Sequence, residues 1–287
     1  MTLGNERPRV VRAANEARQA VRAAQRAGLA VGLVPTMGAL HAGHLSLVEA
    51  ARRDCQFTVA TIFVNPTQFG PQEDFSRYPR TWDDDLAALA RVGVDLVFAP
   101  DVAEMYPPNC TTSIDPPRVA DPLEGHCRPG HFRGVATIVM KLFQLLPADV
   151  AYFGQKDYQQ SLVVKQMVKD LNVSLRIEVC PTLRDAEGLA LSSRNRYLSA
   201  PERRQALAII GGLRQASQMY QRGERNTGVL CDAIRAKLSA AAIRSIDYVA
   251  ITDPESLGIQ EVLEGPAMAL VACHVGATRL IDNVRLE

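Results

Sequence analysis

Short apolar runs, rich in β-branched residues, alternate with segments of helical periodicity, and this alternation constrains the fold more than any other feature. The runs cover residues 30–34, 57–64, 94–99, 150–153 and 175–180, and helical patterns cover 43–53, 83–92, 134–146 and 159–171. Strands that are apolar on both faces belong to a parallel sheet covered by helices on both sides. The pattern therefore predicts an α/β fold with a Rossmann-like, doubly wound parallel sheet that binds its ligand at the carboxyl ends of the strands.

The composition of the chain changes after about residue 184. Patterns typical of helices cover residues 201–221 and 227–242, and patterns typical of strands cover 245–252, 267–275 and 278–284. They predict a smaller C-terminal α+β lobe, with one domain over residues 1–184 and a second over 185–287. Near the N-terminus, an arginine-rich segment admits two interpretations, a transit peptide or a surface helix. The helix is favoured by the apolar spacing of Val10, Ala14, Ala17, Val21 and Ala24.

The composition argues against several classes of function. The 287 residues include 32 Lys and Arg and 31 Asp and Glu, a net charge of +1, so charge favours neither nucleic acid nor a membrane surface as partner. The sequence shows neither a bilayer-spanning apolar stretch nor the core of a signal peptide. Six cysteines without a C-x-x-C pair are typical of reduced thiols, so we expect a cytoplasmic protein.

The sequence PTMGALHAGH, residues 35–44, directly follows the first apolar run. Its glycines indicate a turn, and the apolar spacing after it predicts a helix that begins near residues 41–43. The N–H groups of a helix start bind phosphate, and His41 and His44 there can donate hydrogen bonds to a phosphate and to the transition state of attack at phosphorus. Two alternatives remain open: a glycine-rich turn whose histidines cap the helix, or part of a zinc site.

Polar side chains also follow other predicted strands. Asn65 and Gln68 follow the second run, and the neutral amides of Gln68 and Gln160 suit a hydroxyl and a carboxylate. Lys156 follows the fourth run as a point charge for a phosphate, and Gln160 stands at the start of the next helix. The alternative is that these residues are ordinary surface side chains, since loops at strand ends are polar in any case.

Three further clusters each have two interpretations. Residues 192–195 fit a mobile phosphate clamp or a polar linker. The three aspartates at 83–85 complement a helix dipole or assist magnesium on ATP phosphates. Arg128 and His131 hold an anionic group or form a helix cap with a surface arginine.

Several longer motifs occur in a fixed order: PTMGALHAGH, FVNPTQFG, YPRTWDDDL, GHFRGVATIV, GQKDYQQ and LSSRNRYL. By these motifs the chain resembles the pantothenate synthetases, or pantoate–β-alanine ligases, from about residue 31 to 198, and RLIDN at 279–283 extends the resemblance. The resemblance implies an ATP-dependent condensation of (R)-pantoate with β-alanine to pantothenate, through a pantoyl adenylate, with release of AMP and pyrophosphate. It also implies Mg²⁺, a homodimer, an ATP- and pantoate-binding first domain and a C-terminal lid domain.

The resemblance further implies roles for single residues in catalysis and in nucleotide binding. His44, assisted by His41, acts at the α-phosphate, and Lys156 contacts phosphate. The metal ligands stay unknown, with Asp84 and Asp85 as candidates. The implied ATP contacts are Met37, Gly38, Ala39, Leu40, His41, Ala42, Gly43, His44, Gly154, Gln155, Lys156, Asp157, Leu183, Leu191, Ser192, Ser193 and Arg194.

For the other two substrates, the resemblance implies that Gln68 and Gln160 hold pantoate and that Gln68 and Asn65 lie against β-alanine. Two positions depart from the usual pattern of the family, because Gln155 replaces a glutamate and Thr67 replaces a methionine. Two other functions compete with the ligase: a nucleotidyltransferase that stops at adenylyl or cytidylyl transfer, and a non-catalytic nucleotide sensor. A hydroxy-acid pocket needs the two glutamines, whereas a nucleotidyltransferase does not.

Overall fold

The computed structural model describes residues 7–71 and 73–287, and the chain divides into two compact units. The first unit contains the residues up to 155 together with 159–181, and the second contains residues 156–158 together with 182–287. The chain thus contributes three residues to the second unit before it completes the first. The binding and lid roles assigned above to residues 1–184 and 185–287 stay predictions.

Six strands of the first unit form a parallel sheet in the order β1-β4-β3-β2-β5-β6. The strands are β1 (Arg9–Val11), β2 (Val31–Val34), β3 (Phe57–Thr61), β4 (Leu96–Phe98), β5 (Val150–Gly154) and β6 (Arg176–Cys180). From β2 the chain proceeds outward to β3 and β4, and it then crosses to β5 and β6 on the other side. The topological switch point therefore lies between the carboxyl ends of β2 and β5, and the predicted Rossmann-like sheet is confirmed.

The first strand shows where the prediction from sequence is wrong. Helix α1 (Ala14–Arg26) buries Ala17, Val21 and Ala24, as the apolar spacing predicts. Val10, however, lies in β1 at the edge of the sheet, where it pairs with β4 and is 37% exposed. A strand of three residues is too short to produce a periodicity of its own, so in the sequence Val10 falls in line with the apolar stripe of the neighbouring helix.

Helices cover both faces of this sheet. After α1 they are α2 (Ala42–Asp54), α3 (Trp82–Arg91), α4 (Val102–Met105), α5 (Glu124–Cys127), α6 (His131–Leu145) and α7 (Tyr158–Asp170). Successive strand residues face opposite sides, so Leu33 packs in one core with residues of α1, α6 and α7. Its neighbour Val34 packs in another core with residues of α2 and α3. This double cover confirms the doubly wound architecture.

The second unit has the predicted α+β composition. Its elements are α8 (Ala200–Gln221), α9 (Thr227–Ala240), β7 (Ser245–Thr252), β8 (Ala267–Val275) and β9 (Thr278–Leu286). The three strands form an antiparallel sheet in chain order, and its apolar residues share one core with both helices. Within the described part of the chain, no helix combines the length and apolar character needed to cross a membrane.

Candidate active site

The loop between β2 and α2 is braced by a buried carboxylate. Asp85, which is 2% exposed on α3, accepts hydrogen bonds from Ala39 N (2.9 Å), Leu40 N (2.8 Å) and Thr81 Oγ1 (3.1 Å). Gly38 has a φ of +82°, and a Cβ at this residue would lie 3.0 Å from Asp85 Oδ2. Glycine is therefore required, because a side chain would be strained and would displace the carboxylate. The brace fixes the backbone that leads into α2.

His41 and His44 cap the first turn of α2 reciprocally. His41 Nδ1 accepts from Gly43 N (3.1 Å), and His44 Nδ1 accepts from His41 N (3.4 Å). A nitrogen that accepts is unprotonated, so each neutral imidazole carries its proton on Nε2. The two half-buried rings lie 4.0 Å apart between centroids. The capping interpretation is confirmed, and the same geometry puts the ring proton of each histidine on Nε2 at the start of α2, an arrangement whose chemistry suits phosphate.

The aspartates at the start of α3 do not form a metal cage. Both oxygens of Asp85 accept backbone N–H groups, and Asp84 is exposed. The described residues contain no group of three or more His, Cys, Asp or Glu side chains that could hold a metal ion. The same finding gives no support to a zinc site at the two histidines. Asp85 thus acts on the loop through its hydrogen bonds, a role that neither interpretation of the aspartates included.

The amides of Asn65 and Gln68 are in contact just after β3. Asn65 is 1% exposed and donates from Nδ2 to Gln68 Oε1 over 3.0 Å. Gln68 Nε2 in turn lies 3.3 Å from Met37 Sδ, a residue of the β2–α2 loop. Helix α6 packs closely on this turn, since a Cβ at Gly134 would lie 2.3 Å from Thr67 O. The structure therefore brings a predicted nucleotide residue and two predicted substrate residues together.

Arg128 and His131 hold this turn instead of an anion. His131 Nδ1 donates to Gln68 O (2.8 Å), and Arg128 Nη1 donates to His131 Nε2 (3.0 Å). The guanidinium also makes two 2.7 Å hydrogen bonds with Glu73 and lies 3.5 Å from Glu124. Burial and the neighbouring guanidinium lower the pKa of His131 to about 4, so the ring is neutral at physiological pH. The anionic groups that Arg128 holds in this structure are carboxylates of the chain itself, and a ligand site at this arginine stays a prediction.

Lys156 belongs to the second unit and is held there by the C-terminal strand. Its carbonyl oxygen accepts from Asn283 Nδ2 over 2.9 Å. Lys156, Ser192 and Asp282 contribute to the lining of one small cavity of this unit. Asp282 pairs with Arg184 through two hydrogen bonds of 2.6 and 2.9 Å. The lysine and the predicted clamp segment therefore meet within one compact body.

The predicted site residues divide between the two units. The first unit contains Met37, Gly38, Ala39, Leu40, His41, Ala42, Gly43, His44, Asn65, Gln68, Asp84, Asp85, Gly154, Gln155 and Gln160. The second contains Lys156, Asp157, Leu183, Leu191, Ser192, Ser193 and Arg194. In the second, Leu191 N donates to Leu183 O over 3.0 Å, and Arg194 N donates to Ser192 Oγ over 3.3 Å. In the first, Gln160 is half-buried on α7.

The sequence-based prediction missed Asn283, Glu73 and Tyr106 as supporting residues, and it named Asp85 only as a complement to a helix dipole or a candidate metal ligand. Asp85 and Asn283 lie inside motifs quoted above, so the motifs themselves were the signal that marked them. Glu73 and Tyr106 were missed because their partners, Arg128 and Asn65, are 55 and 41 residues away in the chain. Contacts over such separations leave no pattern in a single sequence.

A glycine-bearing loop that leads from a central strand of a Rossmann-like sheet into a helix start is typical of nucleotide-binding α/β proteins. The family model described as "Pantoate-beta-alanine ligase" matches residues 9–285. The chain therefore belongs to the pantoate–β-alanine ligase family, whose members are enzymes that join pantoate and β-alanine to form pantothenate.

Named relatives and solved structures agree with this assignment. The chain is 53% identical to the pantothenate synthetase of Acidobacterium capsulatum over 256 residues, which cover 89% of this chain and 86% of the relative. It is 51% identical to that of Moorella thermoacetica over 270 residues, covering 94% and 95% of the two chains. The pantothenate synthetase structure from Thermus thermophilus superposes with a TM-score of 0.90 at 44% identity, covering 96% and 98%. The Francisella tularensis ligase, described as complexed with β,γ-ATP and β-alanine, superposes with a TM-score of 0.79 at 33% identity. The superposition covers 96% of this chain and 97% of the ligase.

Proposed function

We propose that the chain condenses (R)-pantoate with β-alanine in an ATP-dependent reaction that passes through pantoyl adenylate and releases pyrophosphate and AMP. The observation that carries the proposal is the histidine cap of α2, in which both Nδ1 atoms accept hydrogen bonds, so that the ring protons lie on Nε2 at a helix start beside the switch point. The ATP and β-alanine named for the Francisella tularensis complex support the choice of substrates.

The first step is adenylation of a poor acylating agent. A carboxylate oxygen of pantoate attacks the α-phosphorus of ATP, an O–P bond forms, and the bond to pyrophosphate breaks. Negative charge increases on the α-phosphate oxygens in the transition state, where donation from His41 and His44 stabilises it most. Lys156 contributes a point charge on phosphate, and residues 37–40, braced by Asp85, hold the nucleotide.

The second step forms the amide. The amine of β-alanine attacks the acyl carbon of the adenylate, a C–N bond forms, the C–O bond to AMP breaks, and the amine loses a proton to solvent. Gln68 and Gln160 hold the pantoyl group, and Asn65 with Gln68 lies against β-alanine. Residues 154–157, Leu183 and residues 191–194 complete the nucleotide contacts.

Magnesium enters this proposal with the nucleotide. Both oxygens of Asp85 accept hydrogen bonds from the loop, and the described residues form no group of three metal ligands, so these residues do not fit a resident metal site. Mg²⁺ commonly binds through substrate phosphates and one or two carboxylates, which makes MgATP the substrate here. Asp84 stays the candidate carboxylate. We further propose a cytoplasmic homodimer, which light scattering would detect as a particle of twice the 31.3 kDa chain mass.

The proposal is tested by pantoate-dependent exchange of labelled pyrophosphate into ATP, with Mg²⁺ and without β-alanine. Exchange under these conditions requires a reversible adenylation, and addition of β-alanine should convert it into net formation of pantothenate and AMP. Pantothenate formation without any exchange would contradict the adenylate route. Pyrophosphate release that does not depend on pantoate would indicate a nucleotidyltransferase, and ATP binding without release would indicate a sensor.

A further inference from the structure

The buried carboxamide of Asn65 has one orientation that its backbone partners allow. The oxygen and nitrogen of an amide are alike in shape, so the orientation has to follow from partners that only donate or only accept. The N–H of Thr67 only donates, and it lies 3.4 Å from Oδ1. The carbonyl of Gly134 only accepts, and it lies 3.3 Å from Nδ2. Asn65 therefore turns its oxygen to Thr67 and its nitrogen to Gly134.

This orientation determines which end of Gln68 a ligand meets. Asn65 Nδ2 is a donor, so the atom of Gln68 that lies 3.0 Å from it is the oxygen Oε1. The nitrogen Nε2 is then the group that faces Met37 Sδ at 3.3 Å. A thioether is a weak acceptor, which an oxygen atom of a ligand can replace. His131 holds the backbone of the same residue through Gln68 O, so Gln68 offers a fixed hydrogen-bond donor.

Two hydroxyl groups reinforce the Asn65 orientation. Tyr106 OH donates to Asn65 Oδ1 over 2.7 Å, and Thr67 Oγ1 donates to the same oxygen over 3.0 Å. Tyr106 follows α4 and packs partly buried against the core of the first unit. Burial raises the pKa of Tyr106, so its hydroxyl stays protonated and available as a donor at neutral pH. Tyr106 makes the shortest of these contacts although it lies far away in the chain.

We propose that Tyr106 is a positioning residue for substrate recognition. With Thr67, it fixes the Asn65 carboxamide, and Asn65 makes Gln68 present its amide nitrogen, not its oxygen, to the bound substrate. The inference deepens the proposed function and rests on it for the identity of that substrate.

The relay also defines the chemical group that Gln68 recognises. An amide N–H₂ pairs with a hydroxyl or carboxylate oxygen and does not pair with an ammonium group. The hydroxyl and carboxylate oxygens of pantoate satisfy this requirement, as does the carboxylate of β-alanine, whereas the ammonium group of β-alanine does not. An analogue of pantoate with an ammonium group in place of the hydroxyl that meets Gln68 should therefore not bind.

The kinetic test compares KM values in the purified full-length chain. Tyr106→Phe removes one hydrogen bond to a buried amide, so KM for pantoate should rise about three- to tenfold while KM for ATP and kcat change little. The double variant Tyr106→Phe with Thr67→Val should raise KM for pantoate further. Tyr152→Phe is the matched control, because Tyr152 OH donates to Asp54 at the last residue of α2 and contacts none of these amides. An unchanged KM for pantoate, or equal rises in all KM values, would overturn the inference.

A second measurement does not depend on turnover. The side-chain amide signals of Asn65 and Gln68, identified in ¹⁵N spectra by their loss in Asn65→Ser and Gln68→Met, should shift and exchange faster with water in Tyr106→Phe but not in Tyr152→Phe. Unchanged signals would overturn the positioning role. If the unmodified chain shows no pantoate-dependent reaction while these signals do respond, the proposed function fails and the relay stands.

Discussion

At the scale of single residues, two histidines combine a structural task with a proposed chemical one. His41 and His44 each use Nδ1 as a helix-cap acceptor, and this use decides where the remaining proton resides. Because the cap is part of α2, the tautomer is set by folding and is not selected when substrate binds. Preorganised donors of this kind cost no reorganisation at the moment of reaction.

Replacing His44 by alanine should lower kcat at least about a hundredfold, since a donor to the transition state is lost. Loss of its cap hydrogen bond should cost only about 1 kcal/mol of stability. The measurement is steady-state pyrophosphate release beside a thermal melt. His126→Ala, which removes an exposed imidazole from α5, is the control. A variant with an unchanged kcat would remove His44 from the chemistry.

His131 makes a testable contribution to stability that depends on pH. The pKa of His131 is lowered from 6.5 to about 4 in the folded state, so the unfolded chain binds more protons between these values. The contribution is therefore complete above pH 6.5 and is lost as the pH falls towards 4, by about 3 kcal/mol in all. Denaturant unfolding of the unmodified chain and of His131→Asn at several pH values measures it. The difference between the two should shrink with acidification, and a constant difference would refute the assignment.

At the scale of elements, hydrogen bonds connect α3 with the β2–α2 loop although the two are far apart in sequence. Asp85 on α3 receives the N–H groups of Ala39 and Leu40, and Gly38 leaves the space that the carboxylate needs. The position of the backbone that we propose to bind the nucleotide thus depends on the packing of a neighbouring helix.

Comparison of Gly38→Ala with Gly28→Ala separates the backbone strain of a side chain at positive φ from its displacement of the Asp85 carboxylate. Both glycines have positive φ, +82° and +77°, so alanine should cost each variant about 1 kcal/mol. Nothing lies within 4 Å of a Cβ at Gly28, whereas a Cβ at Gly38 meets Asp85. Only Gly38→Ala should therefore raise KM for ATP, by about tenfold if one hydrogen bond to the carboxylate is lost. Equal kinetics for the two variants would show that the brace is irrelevant to nucleotide binding.

Local signals made the central elements predictable. The start of α2 followed from a glycine-rich turn and the apolar spacing after it, and the five apolar runs gave β2 to β6 because buried parallel strands are apolar on both faces. The edge strand β1 gave no such signal, since three residues cannot show alternation. The relay from Tyr106 to Asn65 and Gln68 was beyond prediction because it depends on contacts between segments that only the tertiary fold brings together.

At the scale of the whole molecule, the motif GQKD is shared between the two units. Gly154 and Gln155 belong to the sheet unit, whereas Lys156 and Asp157 belong to the C-terminal unit. The proposed phosphate contact of Lys156 therefore depends on residues more than a hundred positions further along the chain, above all on Asn283.

Asn283→Ala should raise KM for ATP about three- to tenfold, because the backbone of Lys156 loses its hydrogen bond, and KM for pantoate should change little. Asn226→Ala is the control in the same unit, since Asn226 Oδ1 caps α9 at 3.1 Å from Val229 N. Both variants should lose about 1 kcal/mol of stability. The inference about Lys156 would fail if Asn226→Ala raised KM for ATP as much as Asn283→Ala does.

The three residues that the second unit takes from the middle of the chain also bear on how such an enzyme can evolve. The hydroxyl of Tyr158 donates to Pro254 O over 2.7 Å, and the carbonyl of Lys156 accepts from Asn283 Nδ2. Residues 182–287 alone therefore lack part of the unit to which they belong. A recombination event at residue 182 would transfer the helices and strands of this unit without two of its internal partners. A chimaera that takes residues 182–287 from a distant relative should therefore fold only where the GQKDY segment and the end of β9 come from the same parent.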